Sequence, residues 1–127
     1  MRSETFNTNA KIANDLKTKR IAELNDKLRS EIFNRTETKN QIVLTSGVSE
    51  YEHLHQVGIC KMVSGFQNFN EDNNPHKERD FGAFEYGNTK FFWKIDYYDN
   101  DLSYHSEDKS DPAKTTRVLT IMKASEY

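Results

Sequence analysis

The stretch DFGAFEYGNTKFFWKIDYY, residues 80–98, decides the fold because it has the pattern of two strands joined by a tight turn. Gly87-Asn88 is typical of a two-residue hairpin turn, and the runs on either side are rich in aromatic residues. Three cross-strand pairs support the register that this turn sets, namely an aromatic pair, a ring over a glycine and an opposite-charge pair: Phe84–Phe91, Gly82–Trp93 and Glu85–Lys90.

The hairpin register divides the second strand into two faces, because successive side chains of a strand point to opposite sides. The predicted core face carries four apolar side chains: Phe91, Trp93, Ile95 and Tyr97. The other face is amphipathic, and we predict that it meets solvent or a partner: Phe92, Lys94, Asp96 and Tyr98. A slip of one residue would place Lys94 and Asp96 in the core, which disfavours the alternative register.

The remaining segments predict a small α+β domain. Asn9 is the expected N-cap of the first helix and Ser49 that of the second. The predicted elements are a helix over residues 9–33, a strand over 41–45, a helix over 49–65 and a strand over 115–124. The last segment has a helical alternative, but its β-branched residues favour a strand. The order α-β-α-β-β-β predicts an antiparallel sheet of about four strands with two helices packed on one face.

Length and charge indicate one domain with a basic arm. The 127 residues suit a single domain. We predict that residues 21–127 form it and that residues 1–20 form an N-terminal arm with the projecting start of the first helix. Residues 1–40 carry nine Lys/Arg and six Asp/Glu, a net charge of +3. Residues 41–127 carry nine and fourteen, a net charge of −5, which is not typical of a dedicated nucleic-acid binder.

The apolar segments predict a cytoplasmic protein that does not enter a membrane. No apolar run approaches the roughly 20 residues needed to span a bilayer. The first residues lack the apolar core of a signal peptide. Cys60 is the single cysteine, so we expect no intrachain disulfide, and its apolar surroundings favour a buried structural role over a nucleophilic one.

Five stretches of the chain are similar to one family: LNDKLR (24–29), VLTSGV (43–48), RDFGAFE (79–85), WKIDYYD (93–99) and TRVLTIMKASEY (116–127). They resemble the domain of unknown function 3768. The likeness runs from Ile21 almost to the last residue and leaves residues 1–20 outside. It implies a small bacterial or phage protein of a kind often carried on plasmids and other mobile elements, and it implies no particular activity.

One position departs from the family pattern. The family reads Glu-His-Asp-Phe-Gly where this chain has Glu78-Arg79-Asp80-Phe81-Gly82. If that histidine served the family as a base or a metal ligand, this chain would lack it. The replacement by Arg79 therefore argues against histidine-based catalysis.

Clustered carboxylates are the candidates for an enzyme. Asp80, Asp96 and Asp99 suggest a divalent-metal site for chemistry on nucleotides or nucleic acid. The hairpin register places Asp80 and Asp96 on opposite faces, and Asp99 suits a structural role at the strand end, so we favour structural roles. The four histidines show no ligand spacing: His53, His55, His76 and His105. We predict no metal and no cofactor.

The loop after the hairpin is a second candidate site. Asp108 and Asp111 precede Arg117 in the polar stretch SEDKSDPAKTTR. These side chains suit either a binding role or a structural one, in which the aspartates accept hydrogen bonds from backbone N–H groups or pair with Arg117.

The hypothesis that the sequence favours is a non-enzymatic protein-interaction module. Its partner would be a protein, bound through Phe92, Lys94, Asp96 and Tyr98 with the acidic residues Asp99, Asp108 and Asp111 and with Arg117. The metal-dependent enzyme is one alternative. The other is DNA binding through the basic helix over residues 11–20, which carries Lys17, Lys19 and Arg20.

Overall fold

A computed structural model describes the backbone of residues 2–127 and the side chains of residues 8–127. The elements follow in the order α1 (Arg2–Ser30), β1 (Gln41–Leu44), α2 (Ser46–Ser49), α3 (His53–Ser64), β2 (Phe81–Tyr86), β3 (Thr89–Tyr98) and β4 (Thr116–Lys123), and a 3-10 turn over Ala124–Glu126 closes the chain. This order confirms the predicted α+β class, and the segment after residue 115 is a strand, not a helix.

The four strands form one mixed sheet in the order β1-β4-β3-β2. Strands β2, β3 and β4 pair in antiparallel fashion, as predicted, whereas β1 runs parallel to β4. The expectation of a purely antiparallel sheet is therefore wrong for β1. The connection from β1 to β2 through α2 and α3 crosses one face of the sheet, so that β1 and β2 run in the same direction. Because β2 and β4 are both antiparallel to β3, β1 is also parallel to β4.

The hairpin between β2 and β3 has the predicted register. Phe84 pairs with Phe91, and the turn residue Gly87 has a φ of +61°. Phe91 and Trp93 are fully buried, whereas the side chain of Lys94 is 38% exposed. These values confirm the predicted assignment of the two faces.

The core lies on one face of the sheet and is closed by the helices. Every sheet residue in it points to the same side as Trp93, and the helical residues come from all three helices. The buried core residues are Leu28, Val48, Ile59, Cys60, Val63, Phe66, Phe84, Phe91, Trp93, Ile95, Leu119 and Ile121. The predicted packing of helices on a single face is confirmed, and Cys60 is a buried free thiol.

Two helix starts differ from the prediction. Helix α1 runs through Asn9 and begins at Arg2, because its first turns contain no Gly or Pro to end it. Ser49 ends the short helix α2 and does not cap α3, which begins at His53. The predicted second helix is thus two helices, separated by residues 50–52.

Helix α2 is held by a side chain from the end of the chain. The Thr45 hydroxyl donates a hydrogen bond to Glu126 at 2.7 Å, and the Gly47 N–H donates another at 3.0 Å. These bonds stabilise the carboxylate and lower the pKa of Glu126.

Among side chains 8–30 of helix α1, burial begins in the second half of the helix. Ile21 is its first buried residue among the described side chains, and residues 8–20 are exposed apart from the half-buried Thr18. Within residues 2–127, no helix has the length and apolar character required to cross a membrane.

Candidate interaction surface

The sheet has a second face that the core does not use. We call it the open face, and it is formed by alternate residues of β2, β3 and β4: Phe81, Ala83, Phe92, Lys94, Asp96, Tyr98, Val118, Thr120 and Met122. None of these residues belongs to the core cluster, and all but Met122 keep part of their surface exposed. The open face is therefore a mixed apolar and polar surface that the described helices leave uncovered.

One end of the open face is an aromatic cluster. The ring centroid of Phe92 lies 5.2 Å from that of Phe81 and 5.4 Å from that of Tyr127. Tyr127 keeps 77% of its surface exposed, and the Lys90 ammonium lies 5.3 Å from the Phe92 centroid. Clustered aromatic rings of this kind offer a partner a large apolar area at a small entropic cost.

The sequence hypothesis missed two members of this cluster. Phe81 pairs with Lys94 in the predicted register, so the same alternation that selected Phe92 places Phe81 beside it. Tyr127 carries no such signal, because the 3-10 turn after β4 brings it over the strands.

The middle of the open face is a charged pair. The Lys94 ammonium lies 3.0 Å from the Asp96 carboxylate, and both side chains are about one-third exposed. The hydrogen bond to Asp96 raises the pKa of Lys94. A pair at this exposure stabilises the fold by only about 0–1 kcal/mol. Lys94 and Asp96 can therefore bind a partner instead of each other with little loss of stability.

The other end of the open face adjoins the loop after β3. The Tyr98 ring lies parallel to the His105 ring, with centroids 6.3 Å apart. Asp99 accepts a hydrogen bond from the Ser103 N–H at 3.0 Å, so its carboxylate holds the loop in place. Of the predicted binding residues, the structure brings Phe92, Lys94, Asp96 and Tyr98 together on one surface, with Asp99 at its edge.

Asp108 and Asp111 accept hydrogen bonds within the loop between β3 and β4 and so stabilise its conformation. Asp108 accepts hydrogen bonds from the N–H and the hydroxyl of Ser110 at 3.1 and 2.6 Å, and these bonds lower its pKa. Asp111 accepts one from the Ala113 N–H at 2.9 Å. These contacts correspond to the structural alternative, in which the aspartates bind backbone groups.

The position of Arg117 differs from the prediction that it belongs to a binding surface. It lies on the core face opposite Tyr97 and is only 2% exposed, so it is not part of a binding surface. Its Nε donates to Asn25 at 2.8 Å, and a terminal nitrogen donates to the Lys109 carbonyl oxygen. The ion pair of Arg117 with Asp108 or Asp111 was one of two structural alternatives, and Arg117 instead donates to this backbone oxygen.

Arg117 belongs to a buried polar network that the sequence hypothesis missed. Asn25 donates to the Tyr97 hydroxyl at 2.8 Å, and that hydroxyl donates to Glu78 at 3.0 Å. Glu78 also pairs with Lys109 at 2.7 Å. Burial raises the pKa of Tyr97, which keeps the hydroxyl a hydrogen-bond donor. The network links α1, β3, β4 and two loops.

The three candidate catalytic aspartates are not brought together. The Asp80 carbonyl accepts a hydrogen bond from the Ile95 N–H at 2.8 Å, which extends the pairing and puts its side chain on the face opposite Asp96. Burial raises the pKa of Asp80, and the nearby Glu78 adds to the rise. Among side chains 8–127, no three His, Cys, Asp or Glu residues are placed to hold a metal ion together.

The comparisons with known proteins point to one family. The model of the family described as "Protein of unknown function (DUF3768)" matches residues 44–126, which is 83 of the 127 residues. The stretch LNDKLR at residues 24–29 lies outside this range. No curated protein and no solved structure matches the chain. The chain belongs to the DUF3768 family.

Proposed function

We propose that this DUF3768 protein is a non-enzymatic interaction module of the cytoplasm, which binds a protein partner through the open face. The observation that carries the proposal is a sheet face with three clustered aromatic rings and a charged pair that the core does not use. Contiguous apolar surface of this kind, flanked by polar groups, is typical of protein-binding sites.

The arrangement of the open face gives each part a role. The Phe81, Phe92 and Tyr127 rings supply the apolar contact, and aromatic anchors dominate the binding energy of many interfaces. Lys94 and Asp96 orient the partner through complementary charges. The partner surface is thus expected to be apolar at its centre and to carry both signs of charge beside it.

The origin of the partner follows from the family resemblance alone. Proteins of mobile elements and phages meet the proteins of their host, and a host or defence factor is the partner class that we propose. The acidic body, with a net charge of −5 over residues 41–127, favours a partner with a basic surface near the site.

The open face can be tested with one matched pair of variants. Phe92→Thr keeps a strand-forming residue and removes the central ring, whereas Leu54→Ala removes a side chain that is 77% exposed on α3, away from the face. We expect a photo-crosslinker at position 120 to capture a partner in cells, and Phe92→Thr to reduce the captured amount at least tenfold. Leu54→Ala should leave it unchanged.

The proposal fails if the crosslinker at position 120 captures nothing, or if Phe92→Thr and Leu54→Ala retain the partner equally. Thermal unfolding of both variants serves as the folding control. A Tm within a few degrees of the wild-type value ensures that lost capture reports on the interface.

DNA binding by α1 is a second candidate, favoured by one observation. Lys11 and Lys19 of α1 line a groove together with Lys77 from the loop before β2, and Asp15 is the one acidic residue in its lining. Three cations around a groove suit a phosphate backbone. Gel retardation that weakens with salt and disappears in Lys17→Ala/Lys19→Ala/Arg20→Ala would support it. The metal-dependent enzyme has no comparable support, because Asp80 and Asp96 lie on opposite faces of the sheet.

A further inference from the structure

Two cationic residues in the loop before β2 have a backbone conformation that long side chains disfavour. The φ angle is +60° at Lys77 and +57° at Arg79, in the left-handed region where glycine is the usual residue. Strain of this kind persists only where the surrounding structure holds it, and it is typical of binding sites. The positions of these two cations are thus maintained at the expense of stability.

Hydrogen bonds hold the strained segment at three points. The Lys77 N–H donates to the Asn74 carbonyl oxygen at 3.2 Å, and the Arg79 N–H donates to the Asn74 side-chain oxygen at 2.9 Å. Between them, the Glu78 carbonyl oxygen accepts from the Asn25 side chain at 3.0 Å. Glu78 itself is buried, whereas Lys77 is exposed and the Arg79 side chain is 33% exposed. The segment therefore turns its acidic side chain inward and keeps both cations accessible.

Lys77 and Arg79 line one groove. Its volume is about 480 Å³, and the Phe69 ring also belongs to its lining, in which Glu71 is the one acidic residue. Among side chains 8–127, no carboxylate oxygen lies within 4.0 Å of the Lys77 ammonium. The groove therefore carries a net positive charge and has the size of a small-molecule site.

Arg79 retains binding capacity in spite of its ion pair. Its Nη1 lies 2.9 Å from one oxygen of Asp26, and the other oxygen of Asp26 accepts a hydrogen bond from Arg29 at 2.8 Å. Two guanidinium groups thus share one carboxylate. Arg79 Nε is buried and has no hydrogen-bond acceptor within the described residues, and the guanidinium carbon lies 4.4 Å from the Phe69 centroid. The groove therefore holds positive charge that Asp26 does not neutralise.

An anion with several oxygens fits this pair of cations. Arginine donates several N–H bonds from one planar group, and lysine adds a flexible point charge, which together suit a phosphate group. A second groove along α1, lined by Lys11, Lys19 and Asp15, shares Lys77 with the first. A ligand with more than one phosphate has further cations to contact beyond Lys77.

We propose that Lys77 and Arg79 form a phosphate-binding site, which takes the phosphate group of a nucleotide or of a nucleic-acid backbone. Neither residue belongs to the open face, so the phosphate site and the partner binding proposed above can each fail without the other. DNA binding by α1 would use this site, but the site does not depend on it, because a single phosphate contacts only Lys77 and Arg79.

Titration of the full chain with adenosine monophosphate, followed by nuclear magnetic resonance, tests the site. The backbone amide signals of residues 77–79 are expected to shift with adenosine monophosphate and to stay in place with adenosine, which lacks the phosphate. Lys77→Gly should raise the dissociation constant at least tenfold without lowering the Tm, since glycine suits the left-handed conformation. Lys61→Ala, which removes an exposed lysine on α3, should bind as the wild type does.

A single-stranded oligonucleotide distinguishes the two sources of the phosphate. If the ligand is nucleic acid, the oligonucleotide binds at least tenfold more tightly than adenosine monophosphate, and Lys11→Ala/Lys19→Ala removes that gain. If the ligand is a free nucleotide, the oligonucleotide binds no more tightly, and Lys11→Ala/Lys19→Ala leaves the binding of adenosine monophosphate unchanged. Either result supports the phosphate site.

Three results would overturn the site. The signals of residues 77–79 stay in place with both phosphate ligands, or adenosine shifts them as much as adenosine monophosphate does. The third is a Lys77→Gly variant whose Tm shows that it folds and which binds adenosine monophosphate as tightly as the wild type.

Discussion

Replacing Arg117 with methionine is expected to lower the free energy of unfolding by about 2–4 kcal/mol, because a buried and a partly buried acceptor lose their donor. The Asn25 side-chain oxygen accepts from Arg117 Nε, and the Lys109 carbonyl accepts from its terminal nitrogen. Asn25 is fully buried, so water does not replace the lost bond. Methionine fills much of the space, which confines the loss to the polar contacts.

Chemical denaturation measures this loss, and Arg20→Met is the matched control. Arg20 is exposed on α1 and lies 3.9 Å from Glu23, a surface pair that contributes less than about 1 kcal/mol. A Tm lower by roughly 10 °C is expected for the Arg117 variant. If Arg117→Met and Arg20→Met have the same free energy of unfolding, the buried network does not hold α1 to the sheet.

Replacing Gly82 with alanine is expected to destabilise the fold by about 1–3 kcal/mol through overpacking. A Cβ at position 82 would overlap Nε1 of the Trp93 indole, and it would lie 2.7 Å from Cε2 of that ring and 2.9 Å from Cε1 of the Phe66 ring. Trp93 is fully buried, with the Phe66 centroid at 5.6 Å and the Arg29 guanidinium 4.8 Å from its ring. The indole therefore has no room to move away.

Gly65→Ala provides the control for this substitution. Gly65 follows the last residue of α3, and a Cβ there would meet nothing nearer than the Lys61 carbonyl oxygen at 3.5 Å. Its free energy of unfolding should change by less than about 0.5 kcal/mol. Equal stability of the two alanine variants would show that the indole does not press on residue 82.

The hairpin was predictable because its determinants are local. Gly87-Asn88 sets the turn, and the turn fixes every pair of β2 and β3, from Tyr86–Thr89 to Phe81–Lys94. Alternation then assigns the faces, which identified Phe92, Lys94, Asp96 and Tyr98 as one surface. The same register places Phe81 beside Phe92, although the sequence hypothesis did not select Phe81.

The features that escaped prediction depend on distant parts of the chain. The parallel pairing of β1 with β4 is set by the crossover through α2 and α3, which no local pattern records. The network of Asn25, Glu78 and Arg117 joins three separate segments. The sequence gives one local indication of this network. Arg117 alternates with Leu119 and Ile121 on the core face, and a buried charge requires hydrogen-bond partners.

The two faces of the sheet therefore have different tasks. The core face carries the packing and the Arg117 network, and substitutions there are expected to change stability. The open face contributes little to the core, and substitutions such as Phe92→Thr are expected to change binding. Measuring the Tm of substitutions on both faces distinguishes the two kinds of residue, because substitutions on the core face are the ones expected to change stability.

Acetylation footprinting of lysines tests most directly whether the open face is the binding surface. The protein is labelled in its complex from cells and, for comparison, as the purified chain. We predict that Lys94 on the open face becomes protected in the complex, while Lys61, exposed on α3, reacts equally in both samples. Undiminished reactivity of Lys94 in the complex would contradict the assignment of the open face to partner binding.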